Sequence, residues 1–138
     1  MITIRKQEIV KLEDILHLYQ AVGWTNYTHQ PQMLEKALSH SLVIYLALDG
    51  DAVVGLIRLV GDGFSSVFVQ DLIVLPSYQR KGIGRALMKE ALEDYKDVYQ
   101  VQLVTEQTER TLGFYRSMGF EILSTYNCIG MTWMNREK

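Results

Sequence analysis

Residues 41–76 read "SLVIYLALDGDAVVGLIRLVGDGFSSVFVQDLIVLP", three β-rich runs separated by "DGD" at 49–51 and "GDGFSS" at 61–66. Both separators are turn chemistry, because glycine tolerates positive φ and aspartate bonds to nearby backbone amides. Apolar runs joined by such short connections predict three consecutive antiparallel strands. A sheet of that kind has to be covered, so the flanking sequence should supply helices.

Working outward, "ITIRKQ" at 2–7 alternates apolar and polar side chains and predicts a short strand. Ile15, Leu18, Tyr19 and Val22 recur at helical spacing, with Gly23 as a stop. "WTNYTHQP" at 24–31 predicts a loop, and Pro31 opens a second helix over 31–41. Beyond the three strands, residues 84–95 predict a helix, 98–105 a strand and 108–119 a helix. Residues 120–126 ("FEILSTY") and 128–134 ("CIGMTWM") predict two closing strands. The expected architecture is α+β: a mostly antiparallel mixed sheet flanked by about four helices, in one domain spanning 1–138.

Composition narrows the function. The chain has 138 residues and a net charge of −2, so neither nucleic acid nor anionic lipid is an expected partner. Its one cysteine, Cys128, reads as a buried small apolar residue rather than a nucleophile and permits no internal disulfide, which fits a reducing compartment. Residues 1–15 lack a signal-peptide core, and no run reaches the roughly 20 apolar residues of a membrane span. The expected location is cytoplasmic. His17, His29 and His40 show no metal-ligand spacing, so no metal is expected. Met88, Met118, Met131 and Met134 are expected to fill core or an interface.

The chemistry concentrates at "QRKGIG", residues 79–84, which precedes the helix over 84–95. A Walker-type loop would need Lys and Ser or Thr after the second glycine, where Arg85 and Ala86 stand. The dinucleotide fingerprint would need a small residue at Leu87. The physical logic of an anion site still holds. Glycines let backbone amides converge on phosphate oxygens, a helix start adds unpaired donors, and Arg80, Lys81 and Arg85 add positive charge.

"Q-R-K-G-I-G", three residues after "DLIVLP", resembles the pyrophosphate loop of the GNAT superfamily of acyl-CoA N-acyltransferases, Q/R-x-x-G-x-G/A. "FYRSMGF" at 114–120 is similar to a second motif of that family, an aromatic–Tyr pair followed by a Gly-Phe turn. The order of elements over 2–134 matches as well. The resemblance implies a GNAT-like fold and transfer of an acetyl group from acetyl-CoA to a primary amine, expected to be that of a small molecule. It implies that Leu72, Ile73 and Val74 lie on a strand that splays at a bulge and pairs with the pantetheine arm. It also implies that Gln79, Arg80, Lys81, Gly82, Ile83, Gly84 and Arg85 hold the pyrophosphate. Thr108 stands where the family often has an asparagine that contacts pantetheine.

Within that reading Tyr115 is the expected acid for the departing thiolate, and Asp71 the first choice of base, with Gln70 and Glu106 as alternatives. Asp71 could equally recognise a cationic substrate. Trp24 and Tyr27 fall in the loop that commonly lines the acceptor pocket. Two alternatives stay open on the same scaffold: a non-catalytic acyl-CoA-binding regulatory module, and a peptide or protein N-acetyltransferase. The closing strands leave room for a homodimer through an unpaired edge.

Overall fold

The structure, a computed structural model, describes residues 1–135 and divides into two compact units, Met1–Val104 and a second that begins at Thr105. The first unit holds a five-stranded sheet in sequence order: β1 (Ile2–Gln7), β2 (Val43–Asp49), β3 (Ala52–Gly61), β4 (Val67–Val74) and β5 (Val101–Leu103). The three junctions from β1 to β4 are antiparallel, and β4 pairs with β5 in parallel. The segment 41–76 thus forms consecutive antiparallel strands, as its turns require. The β3–β4 turn needs glycine at position 61, where φ is 132° and a Cβ would fall 2.3 Å from the Ser66 carbonyl oxygen. Asp62 closes that turn by accepting from the amides of Phe64, Ser65 and Ser66 at 2.7, 2.8 and 3.2 Å.

One face of the sheet is covered by α1 (Leu12–Ala21), the single turn α2 (Thr25–Thr28) and α3 (Pro31–Ser39). Ile15, Leu18, Tyr19, Leu34 and Leu38 from these helices pack on Ile44, Leu46, Leu48, Leu56 and Ile73. The loop expected at 24–31 therefore contains a helical turn. Helix α4 (Ile83–Asp94) buries Ile83, Leu87, Met88 and Ala91. Its Leu87 lies 3.4 Å from where a Cβ on Gly55 would sit, on the side of β3 opposite Leu56. Small Gly55 and Ala47, paired across β2 and β3, let α4 approach the sheet.

The second unit contains α5 (Glu109–Ser117) and a 3-10 turn at Leu123–Tyr126. Here two expectations are corrected. Neither 120–126 nor 128–134 forms a strand among the described residues. Asn127, at φ 61°, ends the 3-10 turn in the left-handed region, and alternating apolar sequence makes a strand only where a partner edge takes up its amides and carbonyls. Cys128, expected to be buried, is exposed, and so is Met131, while Met88 is fully buried.

Candidate active site

Two bulges shape the middle of the sheet. In the β3–β4 pairing Arg58 faces Asp71 and Leu59 faces Val69, so Gln70 is the extra residue of β4. The pairing of β4 with β5 covers only Val67–Val69. From Gln70 onward β4 therefore keeps β3 on one side and has no strand on the other among the described residues. The open edge carries Leu72, Ile73 and Val74. Ile73 is buried towards the α1–α3 face, and Leu72 and Val74 are half-buried. A bulge that rotates the chain just as the partner strand ends leaves main-chain donors and acceptors for an extended ligand.

The loop after β4 is tied down at both ends. Leu75 N donates to the Val54 carbonyl at 2.9 Å. A 3-10 turn at Pro76–Tyr78 follows, and the Tyr78 hydroxyl donates to Asp49 at 2.6 Å. Gln79 turns back so that its side-chain amide donates to the Val74 carbonyl at 3.0 Å. Lys81 lies over the Tyr78 ring, 5.4 Å from its centre.

Then φ alternates in sign: positive at Arg80 (64°), negative at Lys81, positive at Gly82 (83°) and helical from Ile83. Alternating hands turn successive N–H groups towards one concavity, a backbone nest for anions. A positive φ at Arg80 is uncommon for a residue with a side chain and marks a local strain held by the anchored loop. Gly82 caps α4, and no side chain caps it. The amides that open an α-helix lack intrahelical partners, so the helix start adds donors and the positive end of its dipole to the nest. Arg80, Lys81 and Arg85 are exposed, whereas the Ile83 side chain is buried and leaves only its main chain to the loop.

Below the bulge lies a buried polar cluster. Asp71 and Arg58 are 2% and 4% exposed and form an ion pair, Arg58 Nε to Asp71 Oδ2 at 2.7 Å. Tyr19 donates to the same carboxylate at 2.8 Å and Tyr27 at 3.0 Å. Arg58 also donates to the Tyr27 hydroxyl and the Ser41 hydroxyl. Among the described residues every buried side-chain polar atom has a partner. Burial and the adjoining carboxylate push the Tyr19 and Tyr27 phenols above their ordinary values, so both remain donors. The exposed Gln70 donates to the Tyr27 hydroxyl at 3.3 Å, which links the bulge to the cluster.

This geometry corrects one expectation. Asp71 does not stand open as a base, because Arg58 and two phenols engage its carboxylate inside the core. Tyr27 is buried in the cluster, and the half-buried Trp24 packs edge-on against Tyr19 at 6.1 Å. Arg58 escaped the sequence reading. Its signal was an arginine in the apolar run "AVVGLIRLV" with an aspartate in the next strand, opposite charges that only the register brings face to face.

In the second unit Thr108 caps α5, its hydroxyl accepting from Thr111 N at 3.2 Å. The same hydroxyl is the one expected to meet pantetheine. Tyr115 lies on α5, edge-on to Phe114 and Phe120 at 5.0 and 5.9 Å. Burial raises its phenol above the ordinary value, with a hydrogen bond to Thr105 working in the opposite direction. No group of three or more His, Cys, Asp or Glu among the described residues could hold a metal ion.

Comparison with known proteins bears on this arrangement. Residues 40–122 match the family model of the acetyltransferase (GNAT) domain. A solved GNAT-family acetyltransferase from Streptococcus pneumoniae TIGR4 is 81% identical, with a TM-score of 0.91 and 99% of each chain covered. The rice serotonin N-acetyltransferase 2, chloroplastic, is 37% identical over 97 residues, 66% of this chain and 48% of that protein. The GCN5-related N-acetyltransferase 1, chloroplastic, of Arabidopsis thaliana is 31% identical over 120 residues, 84% of this chain and 59% of that protein. The chain thus spans about half to three-fifths of these curated relatives. The family match over most of the chain, on a sheet that opens at β4 beside a glycine-capped helix, leads to one conclusion: this chain belongs to the GNAT acetyltransferase family.

Proposed function

We propose that the chain transfers the acetyl group of acetyl-CoA to the primary amine of a small molecule. The observation that carries this reading is the alternation of φ through residues 80–83 into an uncapped helix, beside the unpaired stretch of β4. The nest and helix start bind the pyrophosphate, and the β4 main chain from Gln70 to Val74 pairs with the pantetheine arm. Gln79 serves by holding the loop to β4. Arg80, Lys81 and Arg85 add charge, and Ile83 and Gly84 offer main-chain amides.

The amine must lose a proton before it attacks. At a pKa near 10.4 that costs roughly 4–5 kcal/mol at neutral pH. Asp71 acts as a positioning residue, fixing Tyr27 and through it the Gln70 amide, whose oxygen orients the incoming amine. Water takes the proton. As the C–N bond forms, a main-chain amide near Val74 stabilises the tetrahedral oxyanion. The new nitrogen then gives up its extra proton to water as the C–S bond breaks, and Tyr115 donates a hydrogen bond to the departing thiolate. Its raised pKa makes full transfer to a thiolate near 8.5 more uphill than the roughly 2 kcal/mol of an ordinary phenol, so it works chiefly as a hydrogen-bond donor.

A small-molecule acceptor is supported by the rice relative, which is named for acetylating serotonin. The test is release of free CoA from acetyl-CoA across a panel of arylalkylamines, polyamines, amino acids and a lysine peptide. Amine-dependent release with small amines is expected. Release with the peptide alone would replace this reading with a protein acetyltransferase, and acetyl-CoA binding without turnover would replace it with a regulatory module.

A further inference from the structure

The loop that opens α4 leans on a residue outside it. Asp49 is the last residue of β2, at the mouth of the tight turn into β3, where it faces Ala52. Its carboxylate accepts from the Tyr78 hydroxyl at 2.6 Å, across 29 residues of chain. That length is ordinary for a phenol on a carboxylate, a charge-assisted bond stronger than one between neutral groups. The bond raises the Tyr78 phenol above its ordinary value, so it stays protonated and keeps donating.

The same phenol reaches forward along the chain. Lys81 lies over its ring, with the ammonium 5.4 Å from the centre. A phenol that donates to a carboxylate gains electron density, which strengthens the pull of its ring face on a cation. Lys81 is exposed, and an exposed lysine otherwise spreads over many rotamers. The ring therefore narrows where this cation stands before any anion arrives. Arg80, two residues after Tyr78, holds its positive φ of 64°. Such a conformation persists in a residue with a side chain only where its surroundings over-determine it. Upstream of Arg80 the loop is tied by Leu75 N to the Val54 carbonyl, by Gln79 Nε2 to the Val74 carbonyl, and by Tyr78 to Asp49. Of these three, the Asp49 bond is the one with an ionised partner and the one that reaches β2. On charge alone an aspartate beside an anion loop is adverse, since it repels the phosphates the loop serves. Its contribution there lies in what it holds.

We propose that Asp49 and Tyr78 are positioning residues for acyl-CoA. The carboxylate fixes the phenol, and the phenol fixes both Lys81 and the strained backbone at Arg80. The β2–β3 hairpin thereby takes part in coenzyme binding through a side chain that need not touch the coenzyme. This inference rests on residues 79–85 being the pyrophosphate site.

The test is calorimetric titration of the full chain with acetyl-CoA, together with the Tm of each ligand-free variant. Tyr78→Phe keeps the ring and removes the hydroxyl, and it should raise Kd by about fivefold to tenfold. Asp49→Ala should match it, although losing a negative charge from beside an anion site would by itself tighten binding. Asp49→Asn keeps an acceptor oxygen and should recover part of the loss. The double variant, Asp49→Ala with Tyr78→Phe, should bind no worse than either single one, because both remove the same bond. Tighter binding by Asp49→Ala would overturn the proposal, since the carboxylate would then act as a charge alone. An unchanged Kd, with or without a lowered ligand-free Tm, would overturn it too and leave the pair a structural tie. Gly82→Val separates this failure from failure of the site itself. If Gly82→Val weakens binding and Tyr78→Phe does not, the positioning role falls and the pyrophosphate site stands. If neither weakens it, both fall.

Discussion

At the scale of single residues, the Arg58–Asp71 pair shows how a buried charge is tolerated. Each ion, taken from water alone, would cost several kcal/mol. Here the ion pair and the Tyr19 and Tyr27 hydroxyls supply the replacement contacts. Asp71→Asn or Arg58→Met leaves the partner uncompensated and should destabilise the fold by about 3–5 kcal/mol. Replacing both with apolar residues of similar size should cost clearly less, and urea denaturation of all three variants decides it. Asp62 behaves differently because it is exposed. Hydrogen bonds from the Ser65 hydroxyl, and then from the amides of Phe64, Ser65 and Ser66, hold its carboxyl below the usual range. A carboxyl depressed in the folded state stabilises fully above its unfolded value near 4 and loses that contribution as pH falls below it. The Tm of the parent should therefore drop more steeply below pH 4 than that of Asp62→Ala, which should be the less stable protein at pH 7. Tyr115, raised by burial, stays protonated through the neutral range. Tyr115→Phe should lower kcat by about a hundredfold with little change in KM for acetyl-CoA, as steady-state kinetics would show. If the phenol is the donor, the alkaline loss of parent kcat should lie above the ordinary tyrosine value of about 10, and the Phe variant should lack it.

At the scale of elements, the site is made by places where regular structure stops. Among the described residues β4 loses its outer partner after Val69, Gln70 bulges, and α4 starts at a glycine with no side-chain cap. Each leaves main-chain groups outside the regular pairing among the described residues, a set of donors and acceptors suited to a ligand rich in amide and phosphate. Gly82 holds φ at 83°, a conformation costing other residues roughly 1–2 kcal/mol. No atom would crowd a Cβ there, so the cost is conformational alone. Gly82→Val should therefore fold, with its circular dichroism preserved, yet raise the Kd for acetyl-CoA by tenfold or more in calorimetry as the nest opens. The sequence disclosed the loop, the helix after it and the strand before it. It could not disclose the bulge, because the extra residue is defined only against the β3 register. Nor could it show that Thr108 caps α5, since a threonine before a helix reads equally as cap or ligand contact.

At the scale of the whole molecule, ligand and fold are coupled. A ligand that binds only the folded state adds RT ln(1 + [L]/Kd), about 2.7 kcal/mol at a hundredfold excess over Kd. For a chain of this size acetyl-CoA at that excess should raise Tm by about 5–10 °C in differential scanning calorimetry. No rise at any concentration would remove the cofactor site from residues 79–85. The closing segment belongs to this scale too. "FEILSTY" and "CIGMTWM" have the composition of strands but no partner edge among the described residues, so pattern alone misjudged them.

The sequence by itself determined whatever is local. Turn glycines and aspartates at 49–51 and 61–66 forced consecutive antiparallel strands, helical spacing placed α1, α3 and α4, and "QRKGIG" marked a glycine turn at the start of α4. Tertiary structure alone decided what depends on one strand's register against another. It turned Asp71 from an exposed base into the centre of a buried cluster and chose Arg58 as its partner. It also drew the Tyr27 ring inward and left Gln70 at the surface. The physical reason is that a side chain's local propensity is written in its neighbours along the chain, whereas its protonation, partners and exposure are written in neighbours across space.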